Sequence, residues 1–282
     1  MEVIISHDVD HLYTGEHWRK DLILEKFLVR SFLQYCKREI GIHVFWNRIK
    51  ATFSKRYCRI PEILQFDREH GIPSSFFFGM GNILGMSYSP KQAEPWIKYV
   101  VDNGFDAGVH AANIRDFSEM SKEYNSFKNM HLQEHFGTRV HYVRYDDTTF
   151  ERLASLGYKF DSSEFSKEAI WLKQPYPVKS QNGNVMWEFP LHVMDGNVFE
   201  NNGDNAKTRV LHALVRAESE GVRFFTFLFH DIYFNEKTFP IRIDFYKWFV
   251  ETCENRGYVF TSYNKAIEEL ENERTQNCEF YE

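Results

Sequence analysis

No stretch of this 282-residue sequence approaches the roughly 18 consecutive apolar residues a membrane-crossing helix needs. The N-terminus also lacks a basic segment followed by an apolar one. An integral membrane segment and a secretory leader are therefore not expected, and the expected compartment is the cytoplasm. Basic blocks are missing too: 34 Lys and Arg against 40 Asp and Glu leave a net charge of −6, spread along the chain. Nucleic acid and anionic membrane are thus poor candidates for the main partner. The four cysteines, Cys36, Cys58, Cys253 and Cys278, form no CxxC or CxH pattern and read as reduced thiols. Internal repeats and low-complexity tracts are absent.

Aromatics are abundant instead. With 27 Phe and 15 Tyr, and 43% hydrophobic residues overall, the chain can build a large aromatic core or an aromatic-lined groove. Its length suits one large domain. Short β-rich runs, VIIS (3–6), SSFFF (74–78), FDAGV (105–109), VHYVR (140–144), YKF (158–160), WEFPL (187–191), FFTFLF (224–229) and YVFTS (258–262), alternate with helical patterns. Segments 61–71, 89–104, 148–157, 205–221 and 245–257 carry apolar residues near a 3.6 period, and most end in glycine. Seven or eight βα units predict an α/β fold, a distorted (β/α)7-type barrel. Residues 12–58 break the rhythm and read as a helical insertion or lid, with a helical pattern over 22–39. Residues 1–270 then form the barrel, and 271–282 a polar, frayed tail.

In a parallel barrel the residues that act sit where strands end. Polar residues gather there: Asp8 and Asp10 after the first run, His110 after FDAGV, His141 with Arg144 on VHYVR, Asp161 after YKF, His192 after WEFPL, His230 and Asp231 after FFTFLF. Asp8 and Asp10 are two apart and face the same way on extended backbone. Two adjacent carboxylates ionise together only beside a cation, or one keeps a proton. Taken alone, the pair is as well explained by a cap and a salt bridge. His110 and His230, taken alone, are more often buried histidines bonded to backbone. Their shared location at strand ends changes the balance: an Asp and two His with an open position suit a catalytic zinc or similar divalent ion. His7, His11 and His17 are expected to be solvated. Trp187, like Trp171 and Tyr176, is a candidate sugar-stacking platform, with a core position as the plainer alternative.

In order and spacing, HDVDH (7–11), HGIPSSFFFGMG (70–81), DNGFDAGVHAAN (102–113), FGTRVHYVRYD (136–146), LGYKFDSS (156–163), WEFPLHVMDG (187–196) and FTFLFHD (226–231) resemble the motifs of the polysaccharide deacetylases, the NodB-homology or carbohydrate esterase family four group. The HDVD first motif is similar to that of the subgroup tied to bacterial O-antigen and capsule biosynthesis. The resemblance implies metal-dependent removal of an acetyl group from a sugar that is nucleotide-linked, lipid-linked or part of an oligosaccharide. It implies that Asp8 is the general base, Asp10 and His110 metal ligands, Arg144 the arginine that holds the base, and His230 the general acid. Tyr145 matches a residue at the oxyanion, and Asp161 falls on the substrate side. The group's second motif supplies two histidines four apart, but Ile114 stands at the second position here. His141 is the replacement ligand expected first, with His192 and the Asn113 amide behind it. Strict alternation puts His141 and Arg144 on opposite strand faces, so a bulge or the strand's end must intervene. A non-catalytic protein that binds a glycan or partner through the same scaffold is the alternative reading.

Overall fold

Alternation along the first strand divides the molecule in two. On β1 (Glu2–Val9), Val3, Ile5 and Val9 join a large outer core against the helices, whereas Ile4 joins an inner cluster with Phe77, Phe160, Trp187, Phe189 and Tyr263. The computed structural model describes residues 1–282 apart from 19, 20, 82, 84, 201–204 and 280–282. After β1 come α1 (Ile23–Cys36), α2 (Ile42–Thr52), α3 (Ile60–Glu69), β2 (Ser75–Gly79), α4 (Pro90–Asp102), β3 (Asp106–Ala111), α5 (Phe117–Lys128) and β4 (Thr138–Val140). The second half continues with α6 (Thr149–Leu156), β5 (Phe160–Asp161), β6 (Tyr176–Lys179), β7 (Val185–Glu188), β8 (Val193–Met194), α7 (Asp195–Glu200), α8 (Ala206–Ser219), β9 (Phe224–Leu228), α9 (Pro240–Asn255), β10 (Val259–Phe260) and α10 (Tyr263–Glu279).

The strands form a single sheet in the order β6-β7-β5-β4-β3-β2-β1-β9-β8, with β10 paired to the start of β1. Every pairing is parallel except β6 with β7. Helices on one face and a curled inner core on the other bury both sides, which is why β2 and β9 read as the apolar runs SFFFG and FFTFL. The ends β6 and β8 do not pair, so the sheet is a curled, open barrel.

Three local expectations need correction. VHYVR is not a strand: β4 stops at Val140, and His141–Val143 turn through a short 3-10 segment with φ of 60° at Tyr142 and 47° at Val143. The polar segment after 270 is not frayed at its start, because α10 runs on to Glu279. Tyr263 at the head of α10 reaches into the inner core and stacks on Phe160 at 4.3 Å. His7 and His17 are fully buried and His11 nearly so. His7 bonds the Phe229 carbonyl and Asp67, which also accepts from Ser74 and Tyr246, so this cluster ties β1 to α3, β9 and α9. Helix α5, which escaped the periodicity reading, is capped by the Asp116 carboxylate accepting from Ser118 N.

Close strand packing at the inner face demands Gly108. A Cβ there would lie 2.7 Å from the Gly137 carbonyl oxygen and 2.8 Å from the Phe77 ring. Gly108→Ala is therefore expected to lower stability by about 1–3 kcal/mol in urea titrations. An unchanged midpoint would mean that the β3–β4 spacing is looser than described.

Candidate active site

Parallel strands deliver their C-terminal ends to one mouth of the barrel, and the acidic pair of the first motif stands there. Asp8 is the penultimate residue of β1, and Asp10 follows it on the loop. His110, near the end of β3, points the same way from two strands along, since β2 pairs β1 on one side and β3 on the other. The turn after β4 adds His141. Asp10 Oδ1 lies 3.2 Å from His110 Nε2 and 3.5 Å from His141 Nδ1, and the two imidazole nitrogens are 2.9 Å apart. These three residues form a donor set able to hold a metal ion.

The chemistry of the set suits a divalent cation. His110 Nδ1 faces the Arg139 carbonyl at 2.9 Å. A carbonyl only accepts, so Nδ1 carries the hydrogen and a neutral His110 presents the Nε2 lone pair to Asp10 and His141. Asp10 Oδ1 and His141 Nε2 are buried without a hydrogen-bond partner. Burial pushes the Asp10 carboxyl up, but the adjacent His110 and His141 imidazoles together outweigh it and hold the group well below the usual range. An ionised carboxylate and two imidazoles in a half-open space are the donors of a catalytic zinc site. Ile114 is half-buried and packs against the outer core, so the third donor comes from the next strand.

Asp8 has a different neighbour from the expected one. Arg139, fully buried, brings Nη1 to 3.9 Å from Asp8 Oδ1 while Nη2 donates to Ser6 Oγ at 2.9 Å and Tyr263 Oη at 3.0 Å. Arg144 is exposed and lies over the Tyr142 ring, 4.9 Å from its centroid. The turn at Tyr142 swings Arg144 outward, so alternation runs through Arg139 and His141, two residues apart on the inner face. His230, just beyond β9, sits 3.8 Å from Asp10 Oδ2 through Nε2. Its Nδ1 meets Asp195 Oδ1 at 2.7 Å, and its backbone N–H donates to Asp195 Oδ2 at 3.1 Å. Burial alone would depress His230, but Asp195, with Asp10 and Asp8 beyond, raises it well above the ordinary imidazole range.

Asp195 and Arg139 were the residues sequence reasoning missed. Asp195 lies in the MDG of the sixth motif, and Arg139 in GTRVH, inside segments already singled out. The remaining expected residues lie elsewhere. Asp161 is wholly buried, bonded to Ser163 N and Oγ at 3.0 and 2.8 Å, and paired with buried Glu188. Burial and the charge of Asp161 push Glu188 well up, so the pair shares a proton below Arg139 rather than facing a ligand. Trp187 belongs to the inner aromatic cluster. Tyr145 is exposed, rests on Phe150 at 4.9 Å and borders the mouth. His192 is buried, its ring nitrogens taken by Thr226 and Lys173 of the surrounding chain. The Asn113 amide donates to Glu123 at 2.9 Å.

No family model and no curated protein matches the chain. Among solved structures, one described as a polysaccharide deacetylase of Mycobacterium smegmatis superposes with a TM-score of 0.63 at 14% identity, over 97% of this chain and 91% of that one. One described as a polysaccharide deacetylase of Pseudomonas aeruginosa PAO1 gives 0.58 at 11%, over 95% and 89%. The PuuE allantoinase gives 0.60 at 12%, over 95% and 88%. The chain thus has the polysaccharide deacetylase fold, and an allantoinase shares it, so the fold does not by itself fix the substrate.

Two outcomes check this site. Zinc titration of purified, tag-free protein should saturate at about one ion per chain, and Asp10→Ala, His110→Ala and His141→Ala should each abolish tight binding, whereas Ile114→Ala should not. Tight binding that survives His141→Ala would remove that residue from the set. Separately, burial pushes His192 down to about 4. The unfolded chain then takes up the proton first, so stability falls as pH drops from about 6.5 toward 4, by about 1.4 kcal/mol per unit for this group. His192→Gln should lose that component in urea titrations at pH 7.5 and 5, and an unaltered acid sensitivity would contradict it.

Proposed function

We propose that the chain is a metal-dependent carbohydrate deacetylase that hydrolyses an N-acetyl group on a sugar during bacterial surface polysaccharide assembly, of the O-antigen or capsule kind, in the cytoplasm. The observation that carries this reading is the meeting, at one barrel mouth, of a three-donor set, a buried Asp8 carboxylate oxygen without a hydrogen bond and an imidazole raised by Asp195. The fold and the ordered motifs favour an acetylated sugar over other amides.

When bound by Asp10, His110 and His141, a divalent ion, zinc by its preference for imidazole and carboxylate donors, supplies Lewis acidity toward an acetyl carbonyl and a water. Asp8 is placed to take a proton from that water: its Oδ1 is buried and lacks a hydrogen bond, and its Oδ2 lies 3.7 Å from His110 Nε2. Arg139 holds Asp8 in place from 3.9 Å, itself fixed by Ser6 and Tyr263. His230 keeps Nδ1–H on Asp195 and so offers Nε2–H toward the mouth, where it protonates the departing nitrogen. One C–N bond breaks, one C–O bond forms, and acetate and an amino sugar leave. Asp195 acts as the positioning residue for His230.

The non-catalytic alternative rests on Ile114 in place of a ligand. His141 supplies a third donor from the turn after β4, and a protein that only binds has no use for Asp8, His230 and Asp195 in this arrangement.

Acetate release from acetylated sugars tests the reading. Asp8→Asn and His230→Gln should each lower kcat by roughly 10²- to 10⁴-fold with metal still bound. Arg139→Ala should cost far more than Arg144→Ala, which should stay within about threefold of the parent, the range of an exposed surface change. Full activity in Asp8→Asn, or acetate release from none of the sugars with metal bound, would overturn it.

A further inference from the structure

Four cations line a cavity of about 500 Å³ that opens beside Asp10 and His141 and is walled by α1, α2, the start of α9 and the loop ahead of it. They are Lys26, Arg30, Arg48 and Arg242, and among the described residues Asp10 is the only carboxylate along that wall. Arg48 is 8% exposed. Its Nε donates to the Thr238 carbonyl at 2.9 Å and its Nη1 to Gln34 Oε1 at 2.6 Å, both neutral acceptors, while Phe27 and Phe239 flank the guanidinium at 5.7 and 5.2 Å. Arg242 lies over Tyr233 at 4.1 Å and Phe199 at 4.6 Å, and its Nη1 is buried with no hydrogen-bond partner. The carboxylate it influences, Asp195, is taken up by His230 and the Gly196 N–H.

Two guanidinium groups near enough to repel each other, held among aromatic rings with no ion pair to a carboxylate among the described residues, are costly to bury. The groove lined by Lys50, Arg59, Lys237 and Lys247 is different, because Arg59 is bridged to Glu62 and Lys247 to Glu236. Planar guanidinium forks are suited to phosphate oxygens, and a phosphate brings the missing negative charge. Resting on the deacetylase reading for the rest of the ligand, we propose that Arg48 and Arg242 bind a phosphate group carried by the acetylated sugar, with Lys26 and Arg30 at its outer side. The insertion between β1 and α3 then selects substrate rather than only covering the barrel. Of the charge pairs within it, Arg48 lies in this cavity, while Arg19 and Lys20 fall outside the described residues.

The test is binding by isothermal titration on the full chain with zinc loaded, using N-acetylglucosamine, its 1-phosphate, its uridine diphosphate conjugate and inorganic pyrophosphate. The expected result is at least tenfold tighter binding of the phosphorylated sugars than of the neutral one. Arg242→Gln and Arg48→Gln should each reduce that preference about tenfold, with Arg242→Lys in between, and Lys247→Gln, outside the cavity, should leave it intact. Thermal unfolding establishes that each variant is folded, and if Arg48→Gln is not, Arg242→Gln decides. Tighter binding of the 1-phosphate alone identifies a monophosphate sugar as the ligand, and of the conjugate a diphosphate. Equal binding of neutral and phosphorylated sugars, or a preference untouched by Arg242→Gln, overturns the proposal. A preference that depends on Arg242 without any acetate release upholds the phosphate site and refutes the deacetylase reading instead.

Discussion

Lone pairs that converge in a buried space repel one another unless a proton or a cation lies between them. At the mouth of this barrel Asp10, His110 and His141 bring an oxygen and two nitrogens together, with an imidazole contact of 2.9 Å. When neutral, His110 points its Nε2 lone pair inward, because its other nitrogen is spent on the Arg139 carbonyl; burial opposes its protonation, and the Asp8 and Asp10 carboxylates outweigh that and raise it. Asp8 faces Arg139 rather than the same donors, and His230 is raised by Asp195. Asp8 and His230 thus flank the donor set, and each has a buried partner of its own.

The architecture explains how a third donor stands beside Asp10 and His110 although position 114 is Ile. A helix or loop ligand at position 114 would come from the strand that carries His110. Here the neighbouring strand ends early, at Val140, and the left-handed backbone at Tyr142 and Val143 ends the extended run just after His141. Such backbone is costly for residues other than glycine, and its place beside the donor set ties the strain to the site. The buried floor is just as specific. Asp161, Glu188, Ser162 and Tyr263 surround Arg139 beneath Asp8, so α10 contributes to the active face from the end of the chain.

Much of this was legible in the residues. Strand ends rich in Asp and His marked the mouth, and HDVDH, DAGVH and FLFHD carry the residues now found together. Seven ordered motifs anticipated the fold. What failed did so for physical reasons. Arg144 was expected beside Asp8 from the motif resemblance, with a bulge or the strand's end needed to bring it to the face of His141; the two positive φ values that end the strand turn it outward instead. With His141 assigned to the inner face, alternation alone would have pointed to Arg139. Asp161 and Trp187 look like strand-end ligands in sequence, but an inner core of aromatic rings leaves them no open side. Asp195 carried no signal beyond a carboxylate after a β-rich run, because its role appears only when β8 and β9 pair.

Anomalous diffraction from zinc-loaded crystals tests the central claim most directly. The account predicts one strong peak at the zinc edge, about 2.0–2.2 Å from a carboxylate oxygen of Asp10 and from one ring nitrogen each of His110 and His141, with a position left open toward Asp8 and His230. A peak elsewhere, or none between these three residues in crystals that hold zinc, would contradict it.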